Sequence, residues 1–306
     1  MLDLLKLSSP VIAAPMCGIS DYPFRQLNRE LGIGLTYTEM ISSVGISRGN
    51  KKSLSFTFVK GEHPVVVQLF GDNPFLLAEA AQLFENEGAD AIDVNFGCSV
   101  KKVIKQGAGS ALQRNLSLSK DVLCAVRKAI QIPLFIKCRL GWSRPEENYL
   151  ELAKIAESEG VNALCLHPRY ATQLFTGESN WEHFYALREA CTIPLIGSGD
   201  IKTSQQITQA LHQYPVDAVM LGRGLVGNPW LLTDFLGAAQ PSSIEILRHH
   251  ADLLLDYYPE QKACALLRKY VAKYTKGHPK ALALRLFGNT LSCAKDINLL
   301  LDMMHV

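Results

Sequence analysis

The chain has 306 residues, of which 48% are apolar and 20% charged, and its formal net charge is +2. This composition supports a sizeable core and excludes an intrinsically disordered chain. No run approaches the roughly 18 consecutive apolar residues of a membrane-spanning helix, and residues 1–6 lack the pattern of a secretory signal peptide. The length fits one large α/β barrel with a small appendage, or two ordinary domains.

Eight short aliphatic or β-branched segments are predicted strands, because each ends at or just before glycine, proline or a polar residue. They are Val11–Met16, Leu35–Met40, Pro64–Gly71, Ala91–Cys98, Pro133–Gly141, Ala163–Pro168, Pro194–Asp200 and Ala218–Gly224. Helical patterns lie between most of them, as at residues 73–84, 117–130 and 203–213.

Continuous apolar strands that alternate with amphipathic helices indicate a parallel sheet covered by helices. Eight such units in about 235 residues match a closed (β/α)₈ TIM barrel. A doubly wound sheet is the alternative, but no Gly-x-Gly-x-x-Gly turn follows the first strand. We therefore predict a catalytic barrel over residues 1–240 and a small helical domain over residues 241–306.

The segment Asp93-Val-Asn-Phe-Gly-Cys98 ends the fourth predicted strand in a polar corner, and a basic, glycine-rich loop follows. In parallel α/β proteins, chemistry sits at the carboxyl ends of the strands. A thiol there is a candidate acid or nucleophile for a substrate that attracts cations. A buried structural cysteine is the alternative, because most free cysteines are of that kind.

Glycine-rich turns follow the last two predicted strands, at residues 197–200 and 222–224. Glycine lets backbone N–H groups approach a phosphate closely, and in barrels this pair of turns is a common phosphate site. The Gly222-Arg223 turn alone would be a weak signal, since glycine also serves in simple turns. Together the two turns predict a phosphate-binding site.

Lys137 lies inside an apolar strand, between Ile136 and Cys138. A buried ammonium is costly without a partner, so we expect a bound anion or an electron-rich ring beside it. A salt bridge with Glu39 or Asp93 is the alternative. Gln68 and His167 could likewise bond each other or the edge of a heterocycle. A phosphate anchor with a cation and amides further round the mouth is the layout expected for flavin mononucleotide (FMN).

Residues 261–295 carry eight Lys or Arg and no Asp or Glu. If this region is helical as far as Gly277, Lys262, Lys269, Lys273 and Lys276 share one face. A solvated helix face is the usual explanation of such a row. The absence of acids favours a polyanionic partner instead.

The eight cysteines are scattered and form no Cys-x-x-Cys pair. Several lie in apolar strands, where free thiols are commonly buried. This usage predicts reduced thiols in a cytoplasmic protein, with neither a disulfide framework nor a metal site.

Taken together, these motifs resemble the tRNA-dihydrouridine synthase family, and most closely its bacterial B-type enzymes. The matching segments are Ala13–Met16 with Gly18 and Asp21, Val67–Leu69, Asp93–Cys98, Lys101–Val103 with Gly107–Leu112, Lys137–Trp142, His167, Gly199-Asp200 and Gly222-Arg223. Their order and spacing agree along the chain, and residues 267–274 are similar to the family's helical tRNA-binding domain.

The resemblance implies a flavoenzyme that reduces the C5–C6 double bond of uridines in tRNA, with NADPH as reductant. The flavin N5 hydride would go to uracil C6, and Cys98 would deliver a proton to C5. The residues implied to hold FMN are Pro15, Met16, Cys17, Gln68, Lys137, His167, Ser198, Gly199, Asp200, Gly222 and Arg223. The residues implied to contact the tRNA are Asn95 and Arg139 at the uracil, with Lys101, Lys102, Lys105, Arg169, Lys269 and Lys273 around it. Nothing demands a dimer, so we expect a monomer.

Three residues depart from the family's usual pattern: Ser99 stands where proline is usual, Pro168 replaces glycine after His167, and Ser198 replaces asparagine. The acid and the lysine are retained, so we expect activity.

Two other functions remain open. A flavin-dependent reductase of free pyrimidines, akin to dihydroorotate dehydrogenases, would not need the basic tail. A non-catalytic tRNA-binding protein would not hold a flavin.

Overall fold

The computed structural model describes residues 5, 7–49, 59 and 61–305. Most of the amino-terminal segment in which we predict no signal peptide lies outside these residues. Among the described helices, none is both long and apolar enough to cross a membrane.

The described residues form one parallel sheet that curves into a nearly closed barrel. Its strands are β1 (Val11–Ala13), β2 (Thr36–Tyr37), β3 (Ile41–Ser42), β4 (Val65–Phe70), β5 (Ala91–Asn95), β6 (Leu134–Arg139), β7 (Ala163–His167), β8 (Leu195–Ser198) and β9 (Ala218–Leu221). The order round the sheet is β1-β9-β8-β7-β6-β5-β4-β2, and β3 also pairs with β4. The Ala13 N–H donates to the carbonyl of Leu35, the residue before β2, at 2.9 Å, and this contact joins the two ends of the strand order. The predicted (β/α)₈ barrel is confirmed.

The second predicted strand, Leu35–Met40, is split in the structure into β2 and β3. The cause is a side chain that enters the ladder. The Gln68 N–H donates to Thr38 Oγ1 at 3.2 Å, so the hydroxyl replaces a backbone carbonyl at that rung. The two short strands still occupy one position of the barrel, beside β4.

Helices surround the barrel and continue beyond it. They are α1 (Tyr22–Glu30), α2 (Ser43–Ser47), α3 (Pro74–Asn86), α4 (Lys101–Ile104), α5 (Ser110–Gln113), α6 (Leu116–Ala129), α7 (Tyr149–Ser158), α8 (His183–Ala190), α9 (Ser204–Gln213), α10 (Trp230–Leu236), α11 (Ser243–Tyr257), α12 (Glu260–Tyr274), α13 (Ala281–Gly288) and α14 (Ala294–His305). The expected helix starts are present: Asn73 Oδ1 caps α3, and Thr203 forms a capping box with Gln206 at α9.

The carboxyl-terminal helices α11 to α14 pack on the barrel through a shared hydrophobic cluster. Leu225 and Leu231 from the barrel side belong to the same cluster as Leu267 and Val271 of α12. The predicted boundary between residues 240 and 241 falls between α10 and α11, and the division into two domains stays a prediction. The basic helix α12 ends at Tyr274, before the predicted stop at Gly277, so Lys276 follows the helix.

Candidate active site

A cavity of about 860 Å³ opens at the carboxyl ends of the barrel strands. All the residues predicted to hold the cofactor line it, and so do Asn95, Cys98, Lys101, Arg139 and Arg169. Its size suits a cofactor or a small substrate. Barrel closure has therefore gathered residues that are spread over more than 200 positions of the chain.

Four of the predicted RNA-contacting lysines lie outside this lining. Lys102 and Lys105 are exposed on and just after the short helix α4, which follows Cys98. Lys269 and Lys273 lie on α12. Their roles stay predictions.

The Cys98 backbone is held from both sides. Its N–H donates to Asn95 Oδ1 at 2.9 Å, and its carbonyl accepts from the Ser110 N–H and hydroxyl, both at 3.0 Å. Gly109 has a φ of 63°, and a Cβ there would lie 2.6 Å from the Cys98 carbonyl oxygen. The glycine-rich loop therefore needs glycine at this position, because it packs directly against the thiol corner.

The Cys98 thiol is half-buried at the cavity wall. Burial raises its pKa above the ordinary value, while the Val100 N–H and the charges of Arg139 and Lys137 act in the opposite direction. The net shift is upward, so the thiol stays protonated at neutral pH. Such a group can give up a proton but is a poor resting nucleophile.

Lys137 borders the cavity and forms no salt bridge with Asp93, although its charge lowers the pKa of that carboxyl. Among the described residues it takes part in no ion pair. Both proposed partners are engaged elsewhere: Glu39 accepts from the Gly18 N–H at 2.7 Å, and Asp93 accepts from Gln68 at 2.7 Å. The salt-bridge alternative is wrong, and the ammonium is available to a ligand.

Gln68 and His167 do not bond each other, so that alternative is also wrong. Gln68 lies between Asp93 and Asn95, accepting from Asn95 Nδ2 at 2.9 Å. His167 Nε2 accepts from the Arg169 guanidinium at 3.0 Å, because arginine can only donate. The imidazole is therefore neutral with its hydrogen on Nδ1. Burial, together with the charges of Lys137 and nearby arginines, lowers the pKa of His167 to about 2.

Arg169 is buried, and hydrogen bonds hold its guanidinium at three points. Besides His167, it donates to the Gly177 carbonyl and to Asp200 Oδ2, both at 2.6 Å. The guanidinium thus ties β7, the following loop and the turn after β8 together. Its predicted role toward the substrate stays a prediction.

The two glycine-rich turns lie side by side after β8 and β9. Asp200 has a φ of 57°, an uncommon value for a residue with a side chain, and its carboxylate bonds to Arg169 and to the Ser179 N–H stabilise that turn. A Cβ at Gly199 would lie 2.3 Å from Ser179 Oγ, so only glycine fits. Arg223 is exposed at the mouth. Its Nη2 lies 3.9 Å from Asp200 Oδ1, and an exposed arginine beside two glycine-rich turns suits a phosphate.

Phe175, an exposed aromatic side chain at the mouth, is not among the site residues predicted from the sequence. Phe175 is 60% exposed, and the guanidinium carbons of Arg223 and Arg139 lie 4.8 and 5.6 Å from its ring centroid. Leu174, next to it, is also exposed and has a φ of 53°. The signal available in the sequence was an apolar pair inside an otherwise polar loop. Such a ring is a stacking surface for a base.

The lysine row of α12 runs beside the mouth. Lys269 Nζ donates to the Gly18 carbonyl at 2.9 Å, and the stem of Lys273 packs on Gly227. Lys273 and Lys276 join Lys202 and Arg223 around a second pocket of about 710 Å³ that no acidic residue lines. Lys202 and Arg223 also line the main cavity, so the two pockets adjoin. Among the described residues, no three His, Cys, Asp or Glu are placed to hold a metal ion.

Comparison with solved structures places the fold among α/β barrel enzymes. Histamine dehydrogenase from Rhizobium sp. 4-9 superposes with a TM-score of 0.56 at 12% identity, covering 81% of this chain and 49% of that one. A mutant chimera of (S)-mandelate dehydrogenase gives a TM-score of 0.51 at 16% identity, covering 76% and 73%. At these identities the likeness shows the fold alone.

Sequence comparison goes further. The family model of the dihydrouridine synthases (Dus) matches residues 11–302. The chain is 36% identical over 304 residues to a probable tRNA-dihydrouridine synthase of Rickettsia prowazekii, covering 95% of this chain and 92% of that protein. It is 37% identical over 297 residues to tRNA-dihydrouridine synthase B of Pseudomonas aeruginosa, covering 93% and 89%. The chain belongs to the dihydrouridine synthase family, and the resemblance found in its motifs is confirmed.

Proposed function

We propose that this protein reduces the C5–C6 double bond of uridines in tRNA, with FMN as its cofactor and NADPH as the reductant. One observation carries the proposal. A half-buried thiol that stays protonated, Cys98, and an ammonium with no salt-bridge partner among the described residues, Lys137, face the same cavity in a chain of this family. A proton donor and a site for negative charge are what the reduction of a uracil ring requires.

The donor set of the cavity fits FMN. The turns at Ser198, Gly199 and Gly222, with Arg223, would hold its phosphate, and Lys137, Gln68 and the neutral His167 would hold its ring system. A Cβ at Gly222 would lie 3.7 Å from both Ala14 Cβ and Met16 Sδ, so this turn packs at ordinary contact distance against the residues that follow β1. Pro15, Met16 and Cys17 supply the remaining wall. When bound, FMN supplies the hydride for the double bond.

The chain's own residues would place the uracil and deliver the proton. Cys98 would donate its thiol proton to C5. Hydrogen bonds to its backbone N–H and carbonyl hold the residue in place. Arg139 donates to the carbonyls of Gly97, Tyr170 and Leu174, so it fixes the walls on either side of the thiol. Burial lowers the pKa of Arg139 to about 10, which leaves it charged at neutral pH.

The basic rim supports a tRNA substrate over a free pyrimidine. A small pyrimidine would fit inside the cavity and would not reach the lysines around its mouth. Lys101 lies at the edge of the cavity lining, and Lys102, Lys105 and the lysines of α12 lie outside it. Exposed lysines beside an active site suit the phosphates that flank a target nucleotide. The uridine must leave its stack to enter the cavity, which costs least in a loop.

The test uses the purified full chain with tRNA that lacks dihydrouridine. We expect the wild-type protein to show flavin absorbance and to form dihydrouridine with NADPH. Cys98→Ala is expected to keep flavin and tRNA binding but to lose at least about 100-fold in rate, the contribution of a positioned general acid. Cys124→Ser, on the outer helix α6, is the matched control and should behave as wild type.

Three results would contradict the proposal. A protein without flavin that binds tRNA would be the non-catalytic alternative. Equal turnover of free pyrimidines and tRNA would favour the small-molecule reductase. Unchanged turnover by Cys98→Ala would remove the thiol from the chemistry.

A further inference from the structure

Asp93 is a buried carboxylate next to the cavity that has no part in the proposed reaction. Asp93, on β5, is fully buried inside the barrel and does not line the cavity. Its Oδ2 accepts from Gln68 Nε2 at 2.7 Å, while Oδ1 has no hydrogen-bond partner among the described residues. The carboxylate's one side-chain hydrogen bond therefore goes to Gln68.

From Gln68 the bonds continue in one direction to the catalytic corner. Gln68 Oε1 accepts from Asn95 Nδ2 at 2.9 Å. Asn95 Oδ1 then accepts from the backbone N–H groups of Gly97 and Cys98, at 3.1 and 2.9 Å. Asp93, Gln68, Asn95 and the Cys98 backbone thus form a single chain of hydrogen bonds, which we name the amide relay.

The direction of the amide relay depends on its first member. An ionised carboxylate can only accept, so Gln68 must present its NH₂ group to Asp93. Its carbonyl then faces Asn95, and the Asn95 carbonyl is left to face the turn at Cys98. If both amides were rotated by 180°, the Gln68 carbonyl would face the Asp93 carboxylate, and the Asn95 NH₂ group would face the Gly97 and Cys98 N–H groups, which would lose their acceptor.

The charge of Asp93 depends on its surroundings. Burial raises its pKa to about 7, while the bond from Gln68 and the positive charge of Lys137 favour the ionised form, so the carboxylate is ionised in most molecules only above about pH 7. In the parallel register Asp93 lies opposite Gln68 on β4 and Phe135 on β6. The other titratable groups that it influences electrostatically are Cys138 of β6, Cys165 of β7 and Tyr37 of β2.

We propose that Asp93 is a positioning residue that sets the orientation of both Gln68 and Asn95, and through them the backbone of the proton donor Cys98. It touches neither substrate nor cofactor and acts only through the amide relay. The inference deepens the proposed function and rests on it for the role of Cys98. The orientation of the relay itself does not depend on that role.

The test is Asp93→Asn, which keeps the shape of the side chain but offers both a donor and an acceptor. Residue 93 then accepts either orientation of the Gln68 amide, and only the Gly97 and Cys98 N–H groups still favour the present one. We expect hydrogen–deuterium exchange of the Gly97 and Cys98 amides, read by mass spectrometry of the peptide spanning them, to speed up by roughly tenfold, the effect of losing one hydrogen bond. We also expect kcat on tRNA to fall by about tenfold with KM changed less than about twofold, since the proton donor is displaced and RNA binding is not.

Tyr37→Phe is the matched control. Tyr37 is fully buried in the same barrel interior, and its hydroxyl has no hydrogen-bond partner among the described residues. This variant removes a buried polar atom near Asp93 without changing the amide relay. Both the amide exchange at Gly97 and Cys98 and kcat on tRNA should therefore stay at the wild-type level. If Asp93→Asn does not fold, Asp93→Ser replaces it, because a hydroxyl also accepts either orientation of the Gln68 amide.

Unchanged exchange at Gly97 and Cys98 in a folded Asp93 variant would overturn the proposal, even if flavin were lost. An equal rise in Tyr37→Phe would also overturn it, because the effect would then be a general loosening of the barrel. If the wild-type protein formed no dihydrouridine, the proposed function would fail while the exchange measurement still decided the relay.

Discussion

The barrel and the carboxyl-terminal helices each contain a histidine whose pKa is lowered by burial, but only one of the two lines the main cavity at the barrel mouth. In the barrel, His167 has a pKa of about 2 and lines the cavity. In the helical region, His250 has a pKa of about 3, chiefly through burial, and its Nδ1 lies 2.9 Å from the Tyr274 hydroxyl. It lines neither of the two pockets beside the mouth. Burial perturbs both groups, so a perturbed pKa marks a site only where the group can also meet a ligand.

The same two regions differ in how they use lysine. Lys137 stands inside the barrel wall at the cavity, where a charge-assisted bond to a ligand is poorly screened. The lysines of α12 are exposed at the rim, where each contact is weak and sensitive to salt. Cations inside the barrel should therefore act on the cofactor, and those on the helix should act on RNA affinity.

The largest expected effect tests the cation inside the barrel. We expect Lys137→Met to weaken FMN affinity by roughly 10- to 100-fold, because a hydrogen bond to a charged group is worth about 1.5–3 kcal/mol. Flavin fluorescence titration of the apoprotein measures it. Lys154→Met, an exposed lysine on α7, is the control. Wild-type affinity in Lys137→Met would mean that this ammonium does not hold the flavin.

The next effect tests the buried histidine of the helical region. His250 has a lower pKa folded than unfolded, so only the unfolded chain takes up its proton between about pH 6.5 and pH 3. Its contribution to stability is therefore complete above pH 6.5 and is lost as the pH falls, by up to about 1.4 kcal/mol per pH unit. We expect His250→Gln to lose less stability than wild type between pH 7.5 and pH 5 in urea unfolding.

The matched control is His212→Gln, an exposed histidine on α9, which should follow the wild-type pH dependence. At pH 7.5, folded His250→Gln should form dihydrouridine at the wild-type rate. If a fully folded His250→Gln variant lost activity, His250 would act at the site, and the contrast with His167 would be wrong.

The smallest effect tests the lysine row. We expect Lys273→Glu with Lys276→Glu to weaken tRNA binding and to reduce the slope of log affinity against log salt by about two, since each lysine counts for about one phosphate contact. FMN affinity should not change. Lys128→Glu is the control, because it lies at the end of α6 that leads into the next strand, away from the mouth. An unaltered salt slope would show that the row is only solvated.

The positions of most strands and helices could be predicted, because aliphatic runs, glycine stops and caps such as Asn73 are local signals. The interruption of the second strand could not, because it depends on Thr38 meeting Gln68 from another strand. Phe175 was missed for a similar reason: its position beside Arg223 and Arg139 requires the loop after β7, the turn after β9 and the end of β6 to come together.

The sequence by itself determined the barrel, the order of the site motifs and the acid-free basic segment, since periodicity, spacing and charge are properties of the chain read in order. Only the tertiary structure decided which polar groups pair. Within the part of the chain that the structure describes, it leaves Lys137 without an ion pair, joins Gln68 to Asp93 and Asn95, and bonds Lys269 to Gly18. Each of these contacts joins residues distant in the sequence, and closure of the barrel decides which of several chemically acceptable partners lies within reach.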